Sequence, residues 1–540
     1  MRRATDEGSG AVAQKMRVAA IDIGSNSIHL VVAQIEADGR FSVLDRAKEN
    51  VRLGSRTLTE GQLSDEAMAA GLQTLAAFKT LAERQGAGRI QAVATCAVRE
   101  ATNGGEFVKR AKDEIGLRID VVPGREEARL IYLGVSHALD VRHEPTLIVD
   151  IGGGSVELIL VEDGKASALH SVKLGVTRLT ERFLEGDPPS SKSLKALAAH
   201  VETELAPILA KFRGRGVRRV IGTSGTMLNL IALAGHRRGT SPEGYLDNFE
   251  VGADEISLLR RVLQKADRRT RSQMKGLDSK RVDMIIPGAL VADHVLRTVR
   301  AVKLVGCTWA LREGVLLDFI ARHPRKIADA EHYADPRRRS VARLRRRFGD
   351  YAGHAEHVVA LSEQLFDQLG ADLGLPVEAR ELLQHAALLH DIGHHIRHKD
   401  HQHHTYYLIT SCELLGFRRD EIEIIALVAR YHRKALPKES DPELAALSKQ
   451  DRRTVRGLTA ILRLADGLDR THYGVVRGLS AARRDGHLTI ALRTGGDDAG
   501  MEIWEGHRRA TLLAQLLDCE VDFEIGPGAD PGGRVAAGSG

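Results

Sequence analysis

Cysteine is scarce in this 540-residue chain. There are four, Cys96, Cys307, Cys412 and Cys519, scattered along the sequence with no C-x-x-C pair. That excludes a disulfide framework and predicts a reducing compartment in which the thiols act as small buried apolar groups. No apolar run is long enough to cross a bilayer. The first fifteen residues are polar and lack the apolar core of a secretory signal. A cytoplasmic protein with no membrane partner is expected. Charge of one sign does not dominate either: 78 basic and 72 acidic residues leave a formal charge of +6, a mild lean toward polyanionic ligands.

Hydrophobic residues make up 43% and charged residues 28%, ordinary for a globular chain, but the length exceeds what one core can serve. Two glycine-rich turns repeat. Asp22-Ile23-Gly24-Ser25-Asn26-Ser27 and Asp150-Ile151-Gly152-Gly153-Gly154-Ser155 each follow one short apolar run and precede another. A strand ending in Asp, a turn of small residues and a returning strand make a phosphate cradle. Glycine lets backbone N–H groups approach oxygens closely, and the nearby carboxylate can hold Mg²⁺. A third small-residue turn, Gly222-Thr223-Ser224-Gly225-Thr226, follows strand 219–221 and opens a helix. Two similar halves facing each other across a cleft, with phosphoryl chemistry between them, are expected.

The remaining pattern predicts strands over 17–50 with turns at 22–27 and 37–40, a helix over 64–85, strand 90–95, helix 103–116, strand 119–122 and a helix from Arg125. The pattern restarts with strands at 146–151, 156–162 and 166–173 and helices over 176–213, then a mixed segment ending near Ala321. Seven arginines fall between Arg337 and Arg347; they read either as a solvated basic helix or linker, or as a face for a polyanion. Residues 350–475 are helix after helix and hold most of the histidines. Alternating strands at 488–492 and 520–525 suggest a small α/β cap, and the Gly- and Ala-rich tail from Gly526 is expected to be disordered.

Seven blocks in order resemble the exopolyphosphatase/guanosine pentaphosphate phosphatase (Ppx/GppA) family, within the acetate kinase, sugar kinase, Hsp70 and actin superfamily. They are 22–27, 48–54 (Lys-Glu-Asn-Val-Arg-Leu-Gly), 94–99 (Ala-Thr-Cys-Ala-Val-Arg), 124–130 (Gly-Arg-Glu-Glu-Ala-Arg-Leu), 150–157, 222–226 and 311–314 (Leu-Arg-Glu-Gly). The resemblance implies two actin-like (ribonuclease H-like) α/β domains forming a cleft, 16–140 and 141–325. It further implies an all-α HD-type domain at 335–475, a small α/β C-terminal domain at 476–525 and a tail at 526–540. The activity implied is Mg²⁺-dependent removal of the terminal phosphate of inorganic polyphosphate, with guanosine pentaphosphate as the rival substrate. A kinase of the same superfamily and a non-hydrolytic sensor are the other classes. No nucleic-acid partner is expected, and the family implies a homodimer.

Carried onto this chain, the water-activating base is Glu127 and Arg99 grips the terminal phosphate. Asp150 and Glu157 hold Mg²⁺, and the turns Gly24, Ser25, Asn26, Ser27; Gly152, Gly153, Gly154, Ser155; and Thr223, Ser224, Gly225, Thr226 neutralise the phosphate oxygens. Acidic residues at a helix start also favour the positive end of the helix dipole, which is the role left to Glu126. In the histidine-rich region, His354, His390-Asp391 and Asp466 follow the H…HD…D order of HD phosphohydrolases, whose mixed imidazole and carboxylate ligands suit Mn²⁺, Fe²⁺, Ni²⁺ or Zn²⁺. A vestigial pocket gripping polyphosphate or nucleotide is the alternative. His404 and His432 stand where a second metal can bind, and His394, His395, His398 and His401 read as an exposed polar connection.

Overall fold

The computed structural model describes residues 16–36, 41–55, 57–240, 245–323, 335–349, 352–496 and 498–526. The polar leader at 1–15, the turn expected at 37–40 and the tail from 527 lie outside the described residues. The chain divides into two compact units, up to Pro336 and from Arg337 onward.

The first unit is built on two mixed sheets that repeat one plan. In the first sheet, β1 (Met16–Ile23), β2 (Ile28–Ile35) and β3 (Phe41–Glu49) form an antiparallel meander. Two further strands, β4 (Arg89–Ala94) and β5 (Ile119–Val121), continue parallel to β1, giving the order β3-β2-β1-β4-β5. The second sheet has β6 (Thr146–Ile151), β7 (Val156–Glu162), β8 (Lys165–Val172), β9 (Arg219–Thr223), β10 (Glu250–Gly252) and β11 (Lys303–Gly306). Its order is β10-β11-β9-β6-β7-β8, with β6, β9 and β11 parallel. The central strands are apolar on both faces because helices cover both: Val18, Ala19, Ala20 and Ile21 of β1 and Leu147, Ile148 and Val149 of β6 are all fully buried. Helix Asp65–Arg84 starts where Ser64 caps it, its side chain accepting from Ala67 N at 3.2 Å. It buries the stripe Met68, Leu72, Leu75 and Phe78 against the first sheet's core.

Three sequence readings are refined. The stretch 176–213 is two helices, Val176–Phe183 and Ser191–Phe212. A short helix, Cys96–Glu100, follows β4; at five residues it is too brief to leave a periodic signal. The mixed segment resolves into β10, helices Ala253–Lys265 and Ile285–Val299, and β11.

Helix Leu311–Arg322 packs on helix Gly124–Ala138 and on β1 and β2, so the end of this unit returns to its beginning. The two helices meet backbone to backbone. A Cβ at Gly314 would stand 1.8 Å from Leu130 O, and one at Gly134 2.4 Å from Ala310 O. This crossing fixes the helix that carries Glu127.

The second unit begins with helices Pro336–Phe348, Ala352–Leu369, Ala379–Leu389, His401–Ser411, Arg419–Tyr431 and Lys449–Gly467. Arg419–Tyr431 and Lys449–Gly467 are apolar on most faces and form its centre. It closes with a sheet of β12 (Gly478–Arg484), β13 (His487–Arg493) and β14 (Glu520–Ile525) and two short helices between the last two strands. β12 was not legible in the sequence because Gly-Leu-Ser-Ala-Ala-Arg-Arg carries no β-branched residue. In the arginine-rich helix, Arg337 pairs with Glu381 and Glu421, Arg343 with Glu413 and Arg345 with Glu356, so part of that cluster serves the unit's own packing.

Gly314→Ala should destabilise the protein by about 1–3 kcal/mol through overpacking and depress activity with it. Gly105→Ala, at a helical position with open space around it, should stay within about 1 kcal/mol on the stabilising side. Thermal unfolding of the two variants measures the contrast; equal effects would mean that the helix crossing tolerates a methyl group.

Candidate active site

The two hairpins of the repeat carry their functional side chains at matching register positions. Asp22 pairs with His29 across β1 and β2, and Asp150 pairs with Glu157 across β6 and β7. The turns close alike, with Gly24 N donating to Ser27 O at 3.1 Å and Gly152 N to Ser155 O at 3.0 Å. They also face each other: a Cβ on Gly154 would lie 2.7 Å from Ser25 Oγ and 2.6 Å from Cys96 Sγ, so glycine is required for this approach.

The carbonyls of both turns are pinned by neighbouring backbone. Ser25 O and Asn26 O accept from Gly54 N (2.7 Å) and Arg52 N (3.0 Å). Gly152 O, Gly153 O and Gly154 O accept from Val176 N (2.9 Å), Thr177 N (2.9 Å) and Gly175 N (3.2 Å). A trans peptide points its N–H opposite to its carbonyl. The amides of Asn26, Ser27, Gly153, Gly154 and Ser155 therefore turn away from those partners, toward the cavity that these residues line. The third turn reaches the cavity through Ser224 and Gly225. Ser224 holds a left-handed φ of 68°, strained for a serine, and its Oγ donates to Ile151 O at 3.0 Å.

The cavity, about 400 Å³, gathers four carboxylates: Asp22, Glu127, Asp150 and Glu157. Burial first, and repulsion from Glu127 second, push Asp22 and Asp150 up to about 7. Glu157 is driven well above the usual carboxylate range by burial and by Glu127 and Asp150. Glu127 is raised by burial too, against the pull of Arg99, whose Nη1 donates to its Oε2 at 2.9 Å. Glu157 accepts from Ser171 Oγ at 2.7 Å. Lys48, Arg281 and Arg312 bring positive charge to the same space. Arg312 Nη1 donates to His29 Nδ1 at 2.9 Å, so the neutral ring carries its proton on Nε2 and donates to Ser27 Oγ at 2.8 Å. Burial holds that imidazole down at about 3, and the Ser27 hydroxyl proton is left for a ligand.

Most residues singled out from the sequence line this cavity: both turns, Glu127, Asp150, Glu157, Ser224 and Gly225. Three stand back from it. Arg99 lies behind Glu127, tied to it and to Val122 O at 2.8 Å. Thr223 is buried and donates to Trp309 O at 3.0 Å, and Thr226 accepts from Arg281 Nη1 at 3.3 Å. Asp22, His29, Lys48, Arg281 and Arg312 were not counted as site residues. Asp22, Lys48 and Arg312 lie inside recognised blocks, whereas Arg281 lies in the mixed segment with no motif to mark it.

In the second unit, His354, His390, Asp391 and Asp466 converge. His354 Nε2 lies 3.4 Å and His390 Nε2 3.6 Å from Asp466 Oδ1, and His390 Nε2 lies 3.6 Å from Asp391 Oδ2. Two expectations for the neighbouring histidines are corrected. His401 is buried and 3.1 Å from Asp391 Oδ1, and His394 is 3.5 Å from the same atom; neither belongs to an exposed connection. The short helical turn Ile392–His395 folds the chain back so that helix His401–Ser411 begins beside Asp391. His401, not His404, joins His432 there among the described residues. His395 and His398 are exposed as expected.

Comparison with known proteins places the chain. Residues 31–323 match the Ppx/GppA phosphatase family and residues 337–490 match Ppx/GppA phosphatase domain III. The chain belongs to the Ppx/GppA phosphatase family. A guanosine-5'-triphosphate,3'-diphosphate pyrophosphatase of Photobacterium profundum is 32% identical over 455 residues, covering 83% of this chain and 85% of the relative. Among solved structures, an exopolyphosphatase from Cytophaga hutchinsonii superposes with a TM-score of 0.53 at 29% identity, over 57% of this chain and 98% of that one. The Aquifex aeolicus family member gives 0.50 at 30% identity, over 57% and 99%. These neighbours carry the actin-like α/β fold, and the family acts on phosphoanhydrides. No helix among the described residues is long and apolar enough to cross a membrane.

For this Ppx/GppA member the raised carboxylates give a sign to pH dependence in metal-free protein. An unfolded Asp titrates near 4, so from about 4 to about 7 the folded chain binds more protons at Asp22 than the unfolded one. That contribution to stability falls as pH rises. Asp22→Asn removes it. In a chelator, its stability relative to wild type should grow between pH 5 and pH 8, by at most about 1.4 kcal/mol per pH unit. A gap that stays constant across that range would place Asp22 in a solvated environment.

Proposed function

We propose that this protein hydrolyses the terminal phosphoanhydride of inorganic polyphosphate in the α/β cleft, with Glu127 as the base. The observation that carries this reading is the composition of the cavity: four carboxylates, two amide-bearing turns and four cations (Arg46, Lys48, Arg281 and Arg312), with no Phe, Tyr or Trp among the described lining residues to stack on a nucleobase. The donor set offered by Asp150 and Glu157, supported by Asp22, is oxygen only, which fits a hard cation, and their raised proton affinity marks a place where positive charge is wanted. Bound there, Mg²⁺ would neutralise phosphate oxygens and orient the terminal group.

The remaining work falls to the chain. Inward-turned amides of Asn26, Ser27, Gly153, Gly154 and Ser155 and the Ser27 hydroxyl bind the equatorial oxygens. Lys48, Arg281 and Arg312 balance the polyanion's charge. Glu127 takes the proton of a water attacking the terminal phosphorus. The bond from phosphorus to the bridging oxygen breaks, and that oxygen leaves on the shortened chain. Arg99 keeps Glu127 oriented and favours its anionic form, a positioning role rather than a grip on phosphate. The exposed remainder of the arginine-rich helix, with Arg338 and Arg347, suits contact with a long polyanion.

The second reading is removal of the 5' terminal phosphate of guanosine pentaphosphate by the same groups. It is favoured by the Photobacterium relative, whose match spans most of both chains. In the helical unit, His354, His390, Asp391 and Asp466 have the ligand types of an HD-type metal site for Mn²⁺, Fe²⁺, Ni²⁺ or Zn²⁺.

Glu127→Gln keeps the side-chain size and should lower kcat by about 10²–10⁴-fold while leaving substrate binding largely intact. Phosphate release with Mg²⁺ from long-chain polyphosphate and from guanosine pentaphosphate, measured in parallel, tests base and substrate together. Near-normal turnover by the variant would remove Glu127 from its role, and a higher kcat/KM for the nucleotide would give the second reading precedence.

A further inference from the structure

The helical unit holds more ligand geometry than one metal ion uses. Asp391 presents its two oxygens to two separate sets of imidazoles. Oδ2 faces His390 Nε2 at 3.6 Å, on the side shared with His354 and Asp466. Oδ1 faces His401 Nε2 at 3.1 Å, His394 Nε2 at 3.5 Å and His432 Nε2 at 3.6 Å.

The ring orientations are fixed from behind. His390 Nδ1 donates to Ala387 O at 2.7 Å and His401 Nδ1 to His398 O at 3.2 Å. His432 Nδ1 donates to Ala429 O, and His354 Nδ1 lies 2.7 Å from Asp469 Oδ2. A carbonyl oxygen only accepts, so in the neutral form that binds a metal His390, His401 and His432 carry their proton on Nδ1 and aim the Nε2 lone pair inward, and the Asp469 carboxylate orients His354 the same way. Outer partners of this kind orient imidazoles that bind metals. His390 Nε2 is buried with no hydrogen-bond partner of good geometry. His401 Nε2 and His432 Nε2, both on buried rings, face each other at 3.3 Å. Two bare lone pairs at that distance repel, and either a proton on one of them or a cation bound by both relieves the repulsion.

We propose that the helical unit binds two first-row divalent transition-metal ions bridged by the Asp391 carboxylate. One is held with His354, His390 and Asp466, the other with His401 and His432, and His394 is within reach of the second. The first position is the HD-type site proposed above; the second goes beyond it, and neither depends on the hydrolysis assigned to the α/β cleft. Imidazole-rich ligation selects Mn²⁺, Fe²⁺, Co²⁺, Ni²⁺ or Zn²⁺ over Mg²⁺, whereas the carboxylate set of Asp150 and Glu157 in the first unit favours Mg²⁺.

The test loads metal-free full-length protein with Zn²⁺ in excess Mg²⁺, removes unbound ions and counts zinc per chain by mass spectrometry. Two zinc ions are expected in wild type and one each in His401→Asn, His432→Gln and His354→Asn. Glu127→Gln should retain both, whatever becomes of its turnover. Wild type retaining fewer than two ions, or His401→Asn retaining two, would overturn the proposal. Loading with Mn²⁺ gives a measurement on wild type alone, which holds even where a variant fails to fold. A carboxylate-bridged pair gives an exchange-coupled multiline paramagnetic resonance spectrum, and only isolated six-line signals would refute the bridge.

Discussion

Like-charge repulsion in a confined space is the constraint on which the first unit depends. Asp22, Glu127, Asp150 and Glu157 come from four different segments and share one cavity, where Glu127 raises the proton affinity of the other three and Asp150 that of Asp22 and Glu157. Left alone, such a cluster favours separation of the elements that bear it. The packing around it resists that: the fully buried strands β1 and β6, the backbone-to-backbone crossing at Gly134 and Gly314, and the salt bridge from Arg99. The stability given up in holding the carboxylates together is what makes the site receptive to a cation and a polyanion.

The duplicated hairpin explains how such a site arises from ordinary backbone. Each half supplies a turn whose carbonyls are tied off by the chain that follows, Arg52 and Gly54 in one half and 175–177 in the other, so that the amides point the other way. The halves then diverge at matching positions. Asp22 faces a histidine kept neutral by burial and by Arg312, and Asp150 faces Glu157. One half thus emphasises hydrogen bonding to an anion and the other carboxylate ligation, within a common geometry.

The two units offer different inorganic chemistry. The α/β cleft presents oxygen donors, while the helical unit converges imidazole nitrogens on Asp391 and Asp466. The difference follows from the elements used. Strand ends and turns bring short carboxylates and amides together, whereas helix ends can place histidines so that Nδ1 bonds a carbonyl of the preceding turn and Nε2 projects from the helix, as at His390 and His432.

Local sequence determined a good deal here. The glycine turns, the strand–turn–strand repeat, the apolar stripe of helix 65–84 and the H…HD…D order depend on neighbouring residues and hydrophobic period, which act at short range, and they led to the family and to Glu127, Asp150 and Glu157. Tertiary structure decided the rest. Only folding brought Arg281 and Arg312 beside Asp22 in one cavity, because their meeting depends on sheet order and helix crossing rather than spacing. It also set Arg99 behind Glu127 instead of on the cavity wall and selected His401 over His404. The turn at 392–395 redirects the chain and so decides which face of the following helix meets Asp391. Spacing along a chain fixes periodicity, but which side chains share a volume is set by packing between segments far apart in sequence.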